Sequence, residues 1–334
     1  MPDRAALSAA FLEAAGWGDA ARAFLAGDAS ARSYDRLTRG DKTAVLMDAP
    51  PEGGVDVGAF ARIARHLRTL ELSAPRILAE DIGNGLLLVE DLGDDIYARI
   101  IERFPAREYP LYSAATDLIG FLQSQPAPAG LPVYDSAKMG EAVSPIAEFY
   151  AATVTGTAQD PAPLQSAMTA ALARLAPGAD VMLLRDYHAE NLIWLPQRDG
   201  IEKVGLLDFE LACMGHPAYD LVSLLQDARR DVSEETEEAM IWRFTGFTKR
   251  DLEPFQAAYA AQGAQRNLRI VGIFARLALR DGKTRYLSMI PRVWGYVQRN
   301  LAHPELAELA ELVAQTVPEP TPEALQGIAD RCPT

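Results

Sequence analysis

A change of character at "EDLGDD", Glu90 to Asp95, constrains this 334-residue chain more than any other feature. Before it the chain gives short alternating or apolar runs bounded by turn residues, which is the pattern of strands. After it come long helical patterns rich in Ala, Leu and Arg. The expected fold class is therefore α+β: a small antiparallel sheet within residues 1–92, then a larger and mainly helical part over 93–334. Strands are expected at Ala23–Leu25, Tyr34–Leu37, Thr43–Met47, Arg76–Ala79 and Leu86–Glu90, with "RGDK" (Arg39 to Lys42) as a hairpin turn. A first helix runs to about Ala15. Between the third and fourth strands, Val57–Leu70 sets Phe60, Ile63, Ala64, Leu67 and Leu70 on one helical face.

In the second part the spacing predicts helices at Tyr109–Gln123, Gly140–Thr153, Leu164–Leu175, Tyr219–Arg229, Glu234–Phe247 and Leu252–Leu279. Ser233 is placed as an N-cap, with Glu234 and Glu235 in the first turn where the helix dipole favours acids. One island of strand interrupts them: "NLIWLP" and "EKVGLLDFE" flank "QRDG" (Gln197 to Gly200), whose Asp-Gly step fits a hairpin.

The net charge of -14 is spread along the chain, which argues against an extended phosphate backbone or an anionic membrane as partner. Neither a nucleic-acid nor a membrane role is expected. Cys213 and Cys332 lie far apart with no metal-ligand spacing and read as free thiols in a reducing compartment. The N-terminal pattern carries Asp3 and Glu13, unlike a targeting segment, and no run of eighteen apolar residues follows. A cytoplasmic location is expected, and oligomeric state stays open.

The strand island carries the chemistry. Phosphoryl transfer needs a base for the attacking hydroxyl, oxygen ligands for Mg²⁺ and cover for the nucleotide phosphates. Asp186 and Asn191 stand five apart, the separation of aspartate and asparagine in the kinase catalytic loop His-Arg-Asp-x-x-x-x-Asn. The hairpin then returns Asp208 beside Asn191, and Asp208-Phe209-Glu210 takes the place of Asp-Phe-Gly, whose aspartate chelates Mg²⁺. Singly these matches are weak; their order is the stronger signal. His188 either holds the loop by hydrogen bonds or touches reactants.

"RDYHAENLIWL" followed by "GLLDFELACMGHPAYDLVSLL" resembles the core of the aminoglycoside phosphotransferase and choline kinase-like family. That resemblance implies a two-lobed protein-kinase-like fold with ATP in the interlobe cleft, Asp186 as catalytic base, and Asn191 and Asp208 as Mg²⁺ ligands. His188 and Asp220 would support the loop. Within the family, "LAGDASARSYDRL", "VLMDAPPE" and "ILAEDIGNGLLLVEDLGDD" are similar to bacterial cell-wall-recycling kinases, which phosphorylate the anomeric hydroxyl of N-acetylmuramate and N-acetylglucosamine. On that analogy Gly27, Asp28 and Ser30 belong to the turn over the phosphates, and Glu90 and Leu92 to the hinge whose backbone faces adenine.

Two positions depart from the family pattern. Met47 stands where a phosphate-binding lysine is usual, so Arg32 either supplies that charge or pairs with Asp28 or Asp35. Leu184 stands where the loop usually has histidine, yet a base and two metal ligands remain, so an active sugar kinase is expected over a nucleotide-binding pseudokinase. An aminoglycoside antibiotic kinase is the alternative within the enzyme class. Arg229 and Arg230 read as charges closing a helix, with recognition of an acceptor carboxylate as the other reading.

Overall fold

The computed structural model describes residues 3–27 and 32–333, so Asp28 and Ser30 of the expected phosphate turn lie outside the described residues. Backbone contacts divide the chain into two compact units: Met1–Arg107 with Ala189–Ala212, and Glu108–His188 with Cys213–Thr334.

In the first unit five antiparallel strands, β1 (Ala21–Gly27), β2 (Ser33–Arg39), β3 (Lys42–Asp48), β4 (Ile77–Asp81) and β5 (Leu86–Glu90), pair in the order β1-β2-β3-β5-β4. All five expected strands are present. Arg39 pairs with Lys42 across a two-residue turn in which Gly40 takes φ 62°, a conformation that costs glycine nothing. Alternation sends Leu37, Ala44, Leu46, Leu86 and Leu88 to one face, where they bury Leu12 of helix α1 (Arg4–Ala14). Helix α2 (Val57–Thr69) starts at Asp56, whose side chain accepts from the Ala59 N–H at 2.9 Å, and packs against β4. Phe60, Ile63, Ala64 and Leu67 of the expected stripe are buried, while Leu70 lies just past the helix end and is only partly buried. Beyond the sheet, helix α3 (Tyr97–Arg103) completes the first stretch of this unit.

The composition change at residue 90 therefore marks the end of the large sheet, while the unit's contacts continue further. Ala189–Ala212 joins it through backbone bonds: the Leu206 N–H donates to the Ser73 carbonyl at 3.0 Å and the Trp194 N–H to the Asp95 carbonyl at 2.7 Å. The hairpin itself is short, β7 (Leu192–Trp194) on β8 (Val204–Leu206), and follows β6 (Val181–Leu183) of the second unit. Its connection runs over 195–203 and includes a 3-10 turn at Gly200–Lys203, so Asp199-Gly200 does not make the tight two-residue turn that its sequence suggests.

The second unit is mostly helical, with one two-stranded ladder pairing β6 to β9 (Cys213–Gly215). Helix α4 (Glu108–Ser124) opens it, and the helix Leu252–Asp281 runs through its apolar core with buried residues from Phe255 to Ala278. Gly272 lets this helix approach the chain at Pro145 and Ile146, because a Cβ there would lie 2.2 Å from the Ile146 nitrogen. Two expected helices differ. Gly140–Thr153 is broken into a helix at Ser136–Glu141, a π-helical turn at Ile146–Ala151 and a short helix at Ala152–Thr155. Pro145 lacks the N–H that would continue the ladder. The helix expected to reach Arg229 stops at Leu225, because the Gln226 side chain is held by Glu237, Asn267 and Asn300 while Asp227 accepts from the Arg229 N–H. Arg229 and Arg230 therefore do not close a helix. Ser233 caps the helix Glu234–Thr248, accepting from the Thr236 N–H at 3.2 Å. Both cysteines are free thiols. Among the described residues no helix is long and apolar enough to cross a membrane.

Candidate active site

In the first unit the β7–β8 register pairs Leu192 with Leu206, so the next residues outward meet: the Leu207 N–H donates to the Asn191 carbonyl at 3.0 Å. One step further, Asn191 Nδ2 lies 3.4 Å from Asp208 Oδ2. Asp208 has φ 57°, a conformation that costs a non-glycine residue about 1–3 kcal/mol and persists only where neighbours impose it. Phe209 is one such neighbour, fully buried and stacked on Phe60 of α2 with ring centroids 4.7 Å apart. Arg32 is another: Nη2 lies 3.0 Å from Asp208 Oδ1, and Nη1 pairs with Glu210.

The structure thus gathers Asn191, Asp208 and Arg32, and Arg32 pairs with Asp208 and Glu210, neither of them a partner that the sequence suggested. Asp35 pairs with Arg22 at 2.7 Å, and Asp28 lies outside the described residues. Glu210, 178 residues away in sequence, is a partner of Arg32. Met47 is buried and carries no charge, while Arg32 brings a guanidinium to the acid that the motif assigns to metal. A carboxylate and a carboxamide suit a hard dication, since Mg²⁺ takes one or two protein carboxylates and completes its shell with phosphate and water. Among the described residues no group of three or more His, Cys, Asp and Glu is placed to hold a metal by protein ligands alone.

Glu90 and Leu92 lie at the end of the same sheet. The Glu90 side chain pairs with Arg76 at 3.2 Å and Arg198 at 3.0 Å, and Leu92 packs with Ile193 and Leu195 of the hairpin. Both side chains are thereby committed to the protein, which suits a hinge that would offer only backbone. Gly27 ends β1 opposite Ser33.

In the second unit the segment carrying Asp186 and His188 is fixed from several directions. Asp220, fully buried in the helix Ala218–Leu225, accepts from the Leu184 N–H at 2.6 Å and the Arg185 N–H at 2.9 Å. Burial pushes its carboxyl up to about 6, against the pull of those two donors. Ser223 donates to the Arg185 carbonyl at 3.1 Å, and the Arg185 guanidinium lies 4.0 Å over the Tyr134 ring. These contacts hold Arg185 at φ 73°, the residue before Asp186. Tyr187 donates to the Ala115 carbonyl of α4 at 2.8 Å. Leu184 is buried, so the position usually held by histidine is braced by packing and by Asp220. His188 is buried and its pKa lies well below the ordinary range, from burial first and then from Arg229 and Arg266. Its Nε2 lies 3.4 Å from Arg229 Nη1. Arg230 is committed to the Tyr112 hydroxyl at 2.6 Å and Glu108 at 3.2 Å.

His216 prepares the helix that carries Asp220, with Nδ1 accepting from the Ala218 N–H at 3.2 Å. Burial, with Arg250 nearby, lowers its pKa from 6.5 to about 4. The folded value is the lower one, so its contribution to stability is complete above pH ~6.5 and is lost as pH falls toward 4. The loss by pH 5 is about 2 kcal/mol. His216→Asn keeps an acceptor that does not titrate; in urea titrations at pH 7 and pH 5 the parent is expected to lose more stability than the variant. Equal losses would refute the assignment.

Tyr187, Ser223 and Glu210 escape sequence reasoning, because a tyrosine, a serine and a glutamate beside a motif carry no signal of their own. Glu210 alone could have been found, as the acid standing where Asp-Phe-Gly has glycine.

Residues 22–262 match the phosphotransferase enzyme family, APH. An N-acetylmuramate/N-acetylglucosamine kinase of Caulobacter vibrioides is 40% identical, covering 96% of this chain and 98% of its own length. A protein of the same name from Pseudomonas aeruginosa is 34% identical over 90% and 91%. The structure of a choline/ethanolamine kinase family protein from Mesorhizobium loti superposes with a TM-score of 0.61 at 14% identity, covering 98% of this chain and all of that one, and so shares the fold. On that match and those relatives, the chain belongs to the APH phosphotransferase enzyme family.

Proposed function

We propose that this protein transfers the γ-phosphoryl group of ATP to the anomeric hydroxyl of N-acetylmuramate or N-acetylglucosamine. The observation that carries phosphoryl transfer is the Asn191–Asp208 pair, held on the β7–β8 hairpin with Asp208 in a left-handed conformation. The acceptor class follows the names of the relatives at 40% and 34% identity, which favours an amino sugar over an aminoglycoside antibiotic.

In this reading residues 1–92 form the nucleotide-binding lobe and 93–334 the catalytic and acceptor lobe. Gly27, Asp28 and Ser30 cover the phosphates, and the backbone of Glu90 and Leu92 receives adenine. Asp186 takes the proton of the attacking hydroxyl as its oxygen bonds to phosphorus and the bond to ADP breaks. Asn191 and Asp208 would hold Mg²⁺, which would neutralise phosphate charge. Arg32, paired with Asp208 and Glu210, would face phosphate in place of the missing lysine.

A coupled nucleotide-turnover assay over N-acetylmuramate, N-acetylglucosamine, kanamycin and choline tests the proposal. Turnover is expected with the two amino sugars. Turnover with kanamycin alone would overturn the acceptor, and Mg²⁺-dependent nucleotide binding without transfer to any of the four would support a pseudokinase.

A further inference from the structure

Arg36 stands on β2 four residues beyond Arg32, and alternation puts it on the face opposite Leu37. One guanidinium there serves two carboxylates. Its Nε and Nη2 lie 2.8 and 3.0 Å from the two oxygens of Asp91, and its Nη1 and Nη2 lie 2.8 and 2.9 Å from those of Asp94. Two edges of the planar fork are thus filled, which fixes direction as well as distance. The Asp91 side chain is 7% exposed, and its Oδ1 also accepts from the Gly93 N–H at 3.0 Å, so the same acid closes the turn from inside. The Asp94 side chain is 61% exposed, and a pair so open to solvent stabilises the fold little. What it adds is orientation, because both acids of the turn are then tied to one rigid group on β2. The turn is held at its ends as well. The Glu90 N–H donates to the Arg76 carbonyl at 2.8 Å, the Glu90 side chain pairs with Arg76 and Arg198, and the Trp194 N–H donates to the Asp95 carbonyl. Between these anchors, Leu92 gives neither its N–H nor its C=O to a hydrogen bond among the described residues.

Adenine presents an N6–H donor beside the N1 acceptor, whereas guanine presents the O6 acceptor beside an N1–H donor. A peptide segment fixed in one direction serves one of these patterns, while a segment free to turn over serves both. We propose that Arg36 is a positioning residue of the nucleotide site: by holding the Asp91–Asp94 turn in one conformation it fixes the Leu92 N–H and C=O toward adenine and so selects adenine over guanine. This rests on the function proposed above, in which the backbone of Glu90 and Leu92 receives adenine. Arg36 acts on the base only through the turn.

The test compares kcat and KM for ATP and GTP, at saturating amino sugar, in the parent, Arg36→Met and Arg36→Lys. The parent is expected to prefer ATP by at least about tenfold in kcat/KM, the discrimination that one hydrogen bond supplies. Arg36→Met should lower that preference about tenfold through a higher KM for ATP, with kcat and the KM for the sugar unchanged. Arg36→Lys keeps the charge without the fork and should fall between. A role confined to folding would lower the melting temperature and leave the ATP-to-GTP ratio as it was. A ratio in Arg36→Met within about threefold of the parent's, or a parent that uses GTP as well as ATP, overturns the inference while leaving the sugar-kinase reading intact. Should Arg36→Met fail to fold, Asp94→Ala decides, because that side chain is exposed. Its preference for ATP is expected to fall at least about threefold, and a parental ratio overturns the proposal. Turnover of neither sugar by the parent removes the sugar-kinase reading and this inference with it.

Discussion

Asp186→Asn is expected to lower kcat by roughly 10²- to 10⁴-fold, the range spanned by a positioned general base. Asparagine keeps the size of the side chain and removes its capacity to take the proton of the attacking hydroxyl. The nucleotide contacts assigned above lie on Asn191, Asp208, Arg32 and the end of the sheet, so displacement of a fluorescent nucleotide should give a parental affinity. Loss of turnover with binding retained separates a chemical role from a folding defect. A variant with the parental kcat would remove Asp186 from the base role.

Asp220→Ala should be the most damaging change away from the reacting groups. It strands the N–H of Leu184 in a buried place and that of Arg185 in a partly buried one. Each stranded donor costs about 1–3 kcal/mol, so thermal unfolding should fall by roughly 3–9 °C. The kinetic effect comes from Arg185, whose left-handed backbone is held in part by Asp220. Once that hold is lost Asp186 shifts, and a displacement near 1 Å costs about 10²-fold in rate. Asp220→Asn keeps one acceptor and should fall between. Parental melting and parental kcat in Asp220→Ala would show that Ser223 and Tyr187 suffice to hold the segment.

The strands of the first unit were legible because alternation and turn residues act over a few positions, as at Gly40. The Asn191–Asp208 pairing was legible because strand register is a local matter. The Arg32–Glu210 pair was not, because a charge pair between residues 178 apart depends on where tertiary structure carries each side chain. Arg32 had candidate partners near in sequence, and Arg22 took one of them. The β6–β9 ladder has three residues per strand, too few for a period to show. At Gly140–Thr153 the apolar spacing continues through Pro145, whose missing N–H interrupts the helix regardless of that spacing. The early end of the helix at Leu225 rests on Gln226, whose partners Asn267 and Asn300 come from distant helices.

Chain connectivity has a further consequence. The chain passes from the first unit to the second after Arg107, returns after His188 and leaves again after Ala212. A fragment ending at Arg107 would lack the hairpin, leaving the Ser73 and Asp95 carbonyls and the Phe60 ring without the backbone and aromatic partners supplied by Leu206, Trp194 and Phe209. The first unit is thus not a cassette that one recombination event can lift out or replace. Any exchange of the sheet between relatives has to bring its matching residues 189–212 from later in the sequence, beyond α4, which ties the Asp208 turn to the sheet it was inherited with.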